Sequence, residues 1–108
     1  MANTYNNPMI LDTDFTSYRT AASKTIGIRV LKMTLSVGGS ASSAGTVTIT
    51  NPQNSQVLYP SVPVAAAIPA NSILVGDNPT GQGVMSWPDF GVSGLTATGT
   101  KLYLWWGL

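Results

Sequence analysis

Histidine, cysteine and glutamate are all missing from this 108-residue chain, and each absence removes a class of chemistry. Without His or Glu, the groups able to move protons or attack electrophiles reduce to Asp12, Asp14, Asp77 and Asp89, three lysines, two arginines and the hydroxyls. Most enzyme mechanisms then lose a required part. No spacing singles out a Ser-Lys or paired-Asp site, so the chain reads as a protein that is not an enzyme. Without Cys there are no thiolate metal sites, redox motifs or disulfide staples, and stability has to come from packing or from partners. No cofactor is expected.

Charge is scarce as well. Asp, Lys and Arg together make up 8% of the residues, against about 25% in an ordinary soluble domain, while the apolar fraction of 44% is normal for a folded protein. Ser, Thr, Asn, Gln and Gly must therefore supply most of the polar surface. A formal net charge of +1 gives no basic footprint for nucleic acid and no polybasic patch for anionic lipid, so neither is expected as a partner. A weakly charged surface is poorly protected against association, which points to a subunit bound to its neighbours. The segment Met1 to Pro8 lacks the cationic and apolar regions of a secretory signal. Val62 to Ala70, the most apolar stretch, is short and carries Pro63 and Pro69, so it cannot span a bilayer. Asn78-Pro79-Thr80 holds the proline that forbids N-glycosylation.

The most informative stretch that is present is Leu102-Tyr103-Leu104-Trp105-Trp106-Gly107-Leu108, which reads as a strand apolar on both faces. Leu102, Leu104, Trp106 and Leu108 fall on one side of a period-2 ribbon, and Tyr103 and Trp105 fall on the other. A domain of this length can bury one such face in its own core and has little left to cover the second. Another polypeptide is the expected cover, the competing reading being a central strand covered on both faces by its own chain, for instance by the N-terminal arm. Tyr103 and Trp105, with Tyr5 and Tyr18 from the N-terminal segment, are the expected subunit-interface residues.

The remaining pattern is all β. Residues 1–23 read as an N-terminal arm with a short strand at Met9-Ile10-Leu11, and residues 24–108 as one β-sandwich domain. From Thr25, Ile26, Ile28 and Val30 alternate with polar residues or glycine, and then Leu31, Met33, Leu35 and Val37 do so one residue out of phase. That shift predicts a β-bulge near Val30-Leu31, or a crossing between sheets, with Ile28, Val30, Leu31 and Met33 all buried and with Arg29 and Lys32 reaching solvent or a partner. Gly38 to Gly45 has the composition of a flexible hairpin loop. Thr46 to Thr50 and Gln56 to Tyr59 form a hairpin around Asn51-Pro52-Gln53-Asn54-Ser55, and the proline-punctuated segment to Pro69 belongs at a sheet edge or in an extended connection. Ile73 to Val75, Val84 to Trp87 and Phe90 to Leu95 are further short strands, Gly76 to Gly83 is a turn-rich loop, and Thr96 to Thr100 turns the chain into the last strand. No window has helical periodicity. Seven or eight short strands with little or no helix give a single antiparallel β-sandwich, Ig-like or jelly-roll.

The remaining constellations are weak. Asp12 and Asp14 are spaced to offer two oxygens to a hard cation, but calcium needs six to eight and no further acidic residues follow. Asx turns or a helix cap explain them equally well. Asp77 reads as turn chemistry, and Asp89 as an acceptor for nearby backbone donors. Gly76 to Gly83 lacks the Lys-Ser/Thr of a phosphate loop, and Lys101 alone beside Tyr103 and Trp105 is too little charge to bind single strands. Tyr59, Trp87 and Trp105 could stack on sugars, given polar groups beside the rings.

In order, Lys24 to Val30, Gly45 to Pro52 and Gly94 to Trp105 resemble the small β-sandwich virion proteins of tailed bacteriophages, over roughly residues 24–108. The resemblance implies an auxiliary structural protein that decorates or cements the capsid and is made in the host cytoplasm. Its implied partners are its own copies and the major capsid protein or another virion protein. A tail, neck or fibre component is the alternative within the virion, and a carbohydrate-binding β-sandwich module the alternative outside it. No catalytic residue is implied at any position.

Overall fold

The computed structural model describes residues 3–75 and 85–107. The expected turn-rich loop at Gly76 to Gly83, with Asp77, lies outside them, as do Val84 and Leu108. The described elements follow the order β1 (Met9–Leu11), α1 (Tyr18–Ala21), β2 (Ile28–Val37), β3 (Gly45–Asn51), β4 (Gln56–Val64), β5 (Ile73–Val75), β6 (Met85–Trp87), β7 (Gly91–Ser93), α2 (Leu95–Thr98) and β8 (Thr100–Gly107). Eight strands form two antiparallel sheets, as the alternation and turn spacing predict. The larger sheet runs β1-β8-β2-β5, with β6 also pairing β2, and the smaller runs β4-β3-β7.

The core lies between the sheets. Period-2 alternation sends Leu102 and Leu104 of β8, Met9 and Leu11 of β1 and Met33 and Leu35 of β2 inward, against Val47 and Ile49 of β3 and Val92 of β7. Trp87, Phe90 and Tyr18 close one end, with the Tyr18 and Phe90 rings stacked at 5.1 Å and 14°, and Leu95 lies toward the other, where α2 leads into β8.

The phase shift in β2 is a bulge. Val30 pairs Trp106 and Lys32 pairs Trp105, so two steps along β2 match one along β8 and Leu31 is the extra residue. Ile28, Val30 and Met33 are buried as expected, whereas Leu31 is 46% exposed. Val30 and Met33 already fill the core positions on either side, and the inserted residue is left outside the ladder. Leu31 Cδ1 comes within 4.0 Å of where a Cβ on Gly107 would stand, which places it on the outer side of the sheet. The strand also starts later than the pattern suggests, at Ile28, and Ile26 is exposed.

Four other expectations change. Residues 38–44 are no hairpin loop, because β2 and β3 lie in different sheets. The crossover is tied down by Gly38 N–H to Gly99 O (2.8 Å) and by Ser42, whose hydroxyl donates to Ala65 O (2.6 Å) and accepts from Ile68 N–H (3.0 Å). Composition marks a turn without saying which sheet the chain enters next. Thr96 lies within a helical turn, α2, entered through Gly94 at φ 92°, where a Cβ would meet Thr46 O. The N-terminal segment is built into the sandwich rather than standing off as an arm. Within it, β1 pairs β8, and Phe15 and Val92 exchange backbone hydrogen bonds. Tyr18, expected at an interface, is 1% exposed and belongs to the core.

Two outcomes test this packing. Met33→Ala should cost about 2–5 kcal/mol and Leu31→Ala less than about 1 kcal/mol, read from urea midpoints. Burial raises the Tyr18 pKa above its ordinary value of 10.0, and the neighbouring Tyr5 raises it further. The folded state then holds the phenolic proton more tightly than the unfolded state, so stability is retained below pH about 10 and lost as pH rises beyond it. Urea midpoints should fall over that alkaline range, and Tyr18→Phe should flatten the fall.

Candidate docking surface

Inward burial of Leu102 and Leu104 forces Tyr103 and Trp105 onto the opposite face of β8. There the two rings lie 6.5 Å apart at an interplanar angle of 26°. Pairing on both sides of β8 sets their neighbours. Ile10 and Thr34 flank Tyr103, Lys32 flanks Trp105, and Ser36 flanks Lys101. Lys32 Nζ sits 4.5 Å from the Trp105 ring centroid, a cation–π contact across the strand pair. Beyond β2, Ile73 on β5 is 67% exposed. Pro8, Ile10, Ile73, Tyr103 and Trp105, with Ser36 and Asn71 beside them, line a shallow depression of about 420 Å³. With Leu31 at one end, this is an apolar, aromatic sheet face left half-exposed by its own chain. The N-terminal segment pairs with β8 edge to edge and contributes Pro8 and Ile10 to the margin of this face.

The sequence-predicted residues divide. Tyr103 and Trp105 share this face. Tyr18 is in the core, and Tyr5 packs beside it, edge-on to Phe15 with ring centroids 6.0 Å apart. Trp106, on the inner side of β8, is half-buried, and its Nε1–H donates to Asn6 O (2.8 Å). Asn7 pairs with the Trp106 backbone, donating to its O (2.8 Å) and accepting from its N–H (3.2 Å). Of the candidate sugar-stacking rings, Trp87 is buried in the core and Tyr59 lies on β4 in the other sheet, so the three rings do not form one platform. Ile10, Leu31, Lys32 and Ile73 complete the face around Tyr103 and Trp105. The sequence places each on a strand, but only the cross-strand register brings them to one surface.

Asp14 and Asp89 tie segments that are distant in the chain. Asp14 accepts from the N–H groups of Gly94 (3.2 Å), Leu95 (2.8 Å) and Thr96 (3.2 Å), and Thr96 Oγ1 accepts from Asp14 N–H (3.3 Å). It therefore caps a helical turn eighty residues away in sequence. Asp89 is buried and accepts from Ser17 Oγ–H (2.8 Å), Arg19 N–H (3.1 Å) and Phe90 N–H (2.9 Å). Asp12 accepts from Thr13 Oγ1–H (3.0 Å). Among the described residues no three acidic groups converge to hold a metal ion.

Comparison with protein-family models, curated proteins and solved structures finds no match to the chain. The separate roles of the aspartates predict that Asp14→Ala lowers stability by about 1–2 kcal/mol, whereas Asp12→Ala changes it by less than about 0.5 kcal/mol. Thermal denaturation of both variants checks the contrast.

Proposed function

We propose that this chain is a non-enzymatic structural subunit of a phage virion, a capsid decoration or cement protein that docks through the outer face of its larger sheet. The observation that carries the docking role is the partly buried pair Tyr103 and Trp105 on a strand whose Leu102 and Leu104 are sealed in the core. Aromatic side chains each bring about 150–250 Å² of surface, and large apolar patches on otherwise polar surfaces mark association sites. The virion assignment rests on the resemblance of the strand and turn patterns given above. The subunit's own copies and the major capsid protein are its proposed partners on the shell.

The size of the face supports a role in an array. Eight residues each of β2 and β8 and three each of β1 and β5, at about 3.4 Å per residue and about 4.8 Å between strands, make roughly 360 Å², below the ~800 Å² per partner of a stable pair. One such contact is weak alone, and several made at once on a regular shell hold firmly by effective concentration.

A carbohydrate-binding role is the second reading. It is favoured by Ser36 and Asn71, which place hydroxyl and amide groups beside the Tyr103 and Trp105 rings. Pelleting experiments decide between them. Purified protein mixed at micromolar concentration with undecorated head shells of the same virus should co-sediment with them and not with isolated tails. Trp105→Ala should weaken that binding by about tenfold or more, with an unchanged circular dichroism spectrum. Failure to pellet with shells removes the decoration role. A glycan-array signal lost in Trp105→Ala would favour the second reading.

A further inference from the structure

The outer face of the larger sheet meets an occupant through side chains. From Leu102 to Leu104, β8 is already paired by β1 on one edge and by β2 on the other, so the face offers a docked chain no ladder to join. A segment that carries backbone N–H groups into the depression leaves them without partners there, whereas proline carries none. The subunit presents such a segment on its other sheet. Pro60 and Pro63 are both exposed on β4, the end strand of the smaller sheet. Pairing between β3 and β4 joins Ile49 to Tyr59 and Val47 to Val62, so Pro60 and Ser61 together stand opposite the single residue Thr48, a bulge that bends the edge.

We propose that the depression over Tyr103 and Trp105 takes the Pro60–Pro63 edge of a second copy of this chain, in a head-to-tail contact between the larger sheet of one subunit and the smaller sheet of the next. Aromatic-lined grooves suit pyrrolidine rings, which are apolar and already fixed in shape, so little freedom is lost on docking. The dimensions agree. The depression crosses β1, β8, β2 and β5, three gaps of about 4.8 Å or about 14 Å in all, and Pro60 to Pro63 spans about 10 Å at about 3.3 Å per residue. Area decides between the ways two copies can meet. A two-fold pairing of identical outer faces uses the roughly 360 Å² of each face once, well short of the ~800 Å² per partner of a stable pair. In a head-to-tail contact every subunit has both a face and an edge to offer, so a closed ring gives each one two neighbours and adds the weak contacts together.

The inference rests on the outer face being a docking surface, and the experiment keeps the two apart. Sedimentation velocity of the full chain over about 10 μM to about 1 mM, the range of weak contacts, should show reversible growth that passes beyond the dimer. Trp105→Ala alters the face, and Pro60→Lys/Pro63→Lys alters the edge while the lysines keep strand addition blunted. Each variant alone should associate about tenfold or more weakly, with folding verified by circular dichroism. Tyr103→Ala and the single Pro63→Lys replace either variant if it does not fold. A one-to-one mixture of the two variants should regain a complex that stops at the dimer, because each supplies the surface that the other lacks. A wild-type chain that stays monomeric, a proline variant that associates as the wild type does, or a mixture that stays monomeric would each overturn the proposal, the second result pointing to a pairing of identical faces. Pelleting with shells locates the failure. If the chain does not self-associate and Trp105→Ala no longer pellets, the face docks on another protein and only the contact between copies falls. If the chain does not self-associate and Trp105→Ala pellets normally, both readings fall.

Discussion

Strand β8 is the member on which the rest of the molecule depends, because it is paired on both edges and sealed on one face. Its Leu102 and Leu104 have no appreciable exposure, and its backbone pairs β2 along nearly its whole length and β1 along three residues. A strand bonded on both sides and packed on one cannot rotate or slip without unsatisfying backbone groups and exposing leucines. The Leu31 bulge is a consequence of that rigidity. It lets β2 keep Ile28 and Val30 inward at one end and Met33, Leu35 and Val37 inward at the other while remaining in register with β8. The same rigidity fixes the Tyr103 and Trp105 rings on the outside.

Neutral side chains carry most of the polar work in a chain so poor in charge. Ser42 ties the crossover between sheets, Asn3 Oδ1 accepts from the N–H groups of Asp12 and Thr13, and Asn51 and Asn54 satisfy N–H groups of the β3–β4 turn. The two best-engaged carboxylates serve as acceptors for backbone N–H groups at α1 and α2. Among the described residues no buried side-chain nitrogen or oxygen lacks a partner. On the outer face of the larger sheet, Arg29, Lys32 and Lys101 stand around Tyr103 and Trp105.

The edges of the sandwich are better protected than this face. Pro60 and Pro63 remove donors from β4, the edge of the smaller sheet, and Phe15 pairs with β7 at its other edge. Thr4 bonds to Ile10 on the free side of β1. Strand addition at these edges is blunted.

The sequence by itself determined the class of fold. Alternation at Thr46 to Thr50, the one-residue phase shift at Val30-Leu31 and the two-faced ending at Leu102 to Trp106 depend only on neighbours in the chain, and strand geometry converts them directly into faces. It also left His, Cys and Glu out of the inventory of reactive groups. Tertiary structure alone decided where those faces meet. The entry of β3 into the second sheet, the burial of Tyr18 against Phe90 and the exposure of Leu31 each depend on which distant segment reaches the site first. So does the capping of α2 by Asp14, since a carboxylate eighty residues away leaves no periodic trace. The candidate docking face belongs to this second kind, because Ile10, Lys32, Ile73 and Trp105 become neighbours only through register across β1, β8, β2 and β5. Cross-strand register is set by the packing of the whole inner face, and no window of the chain contains it.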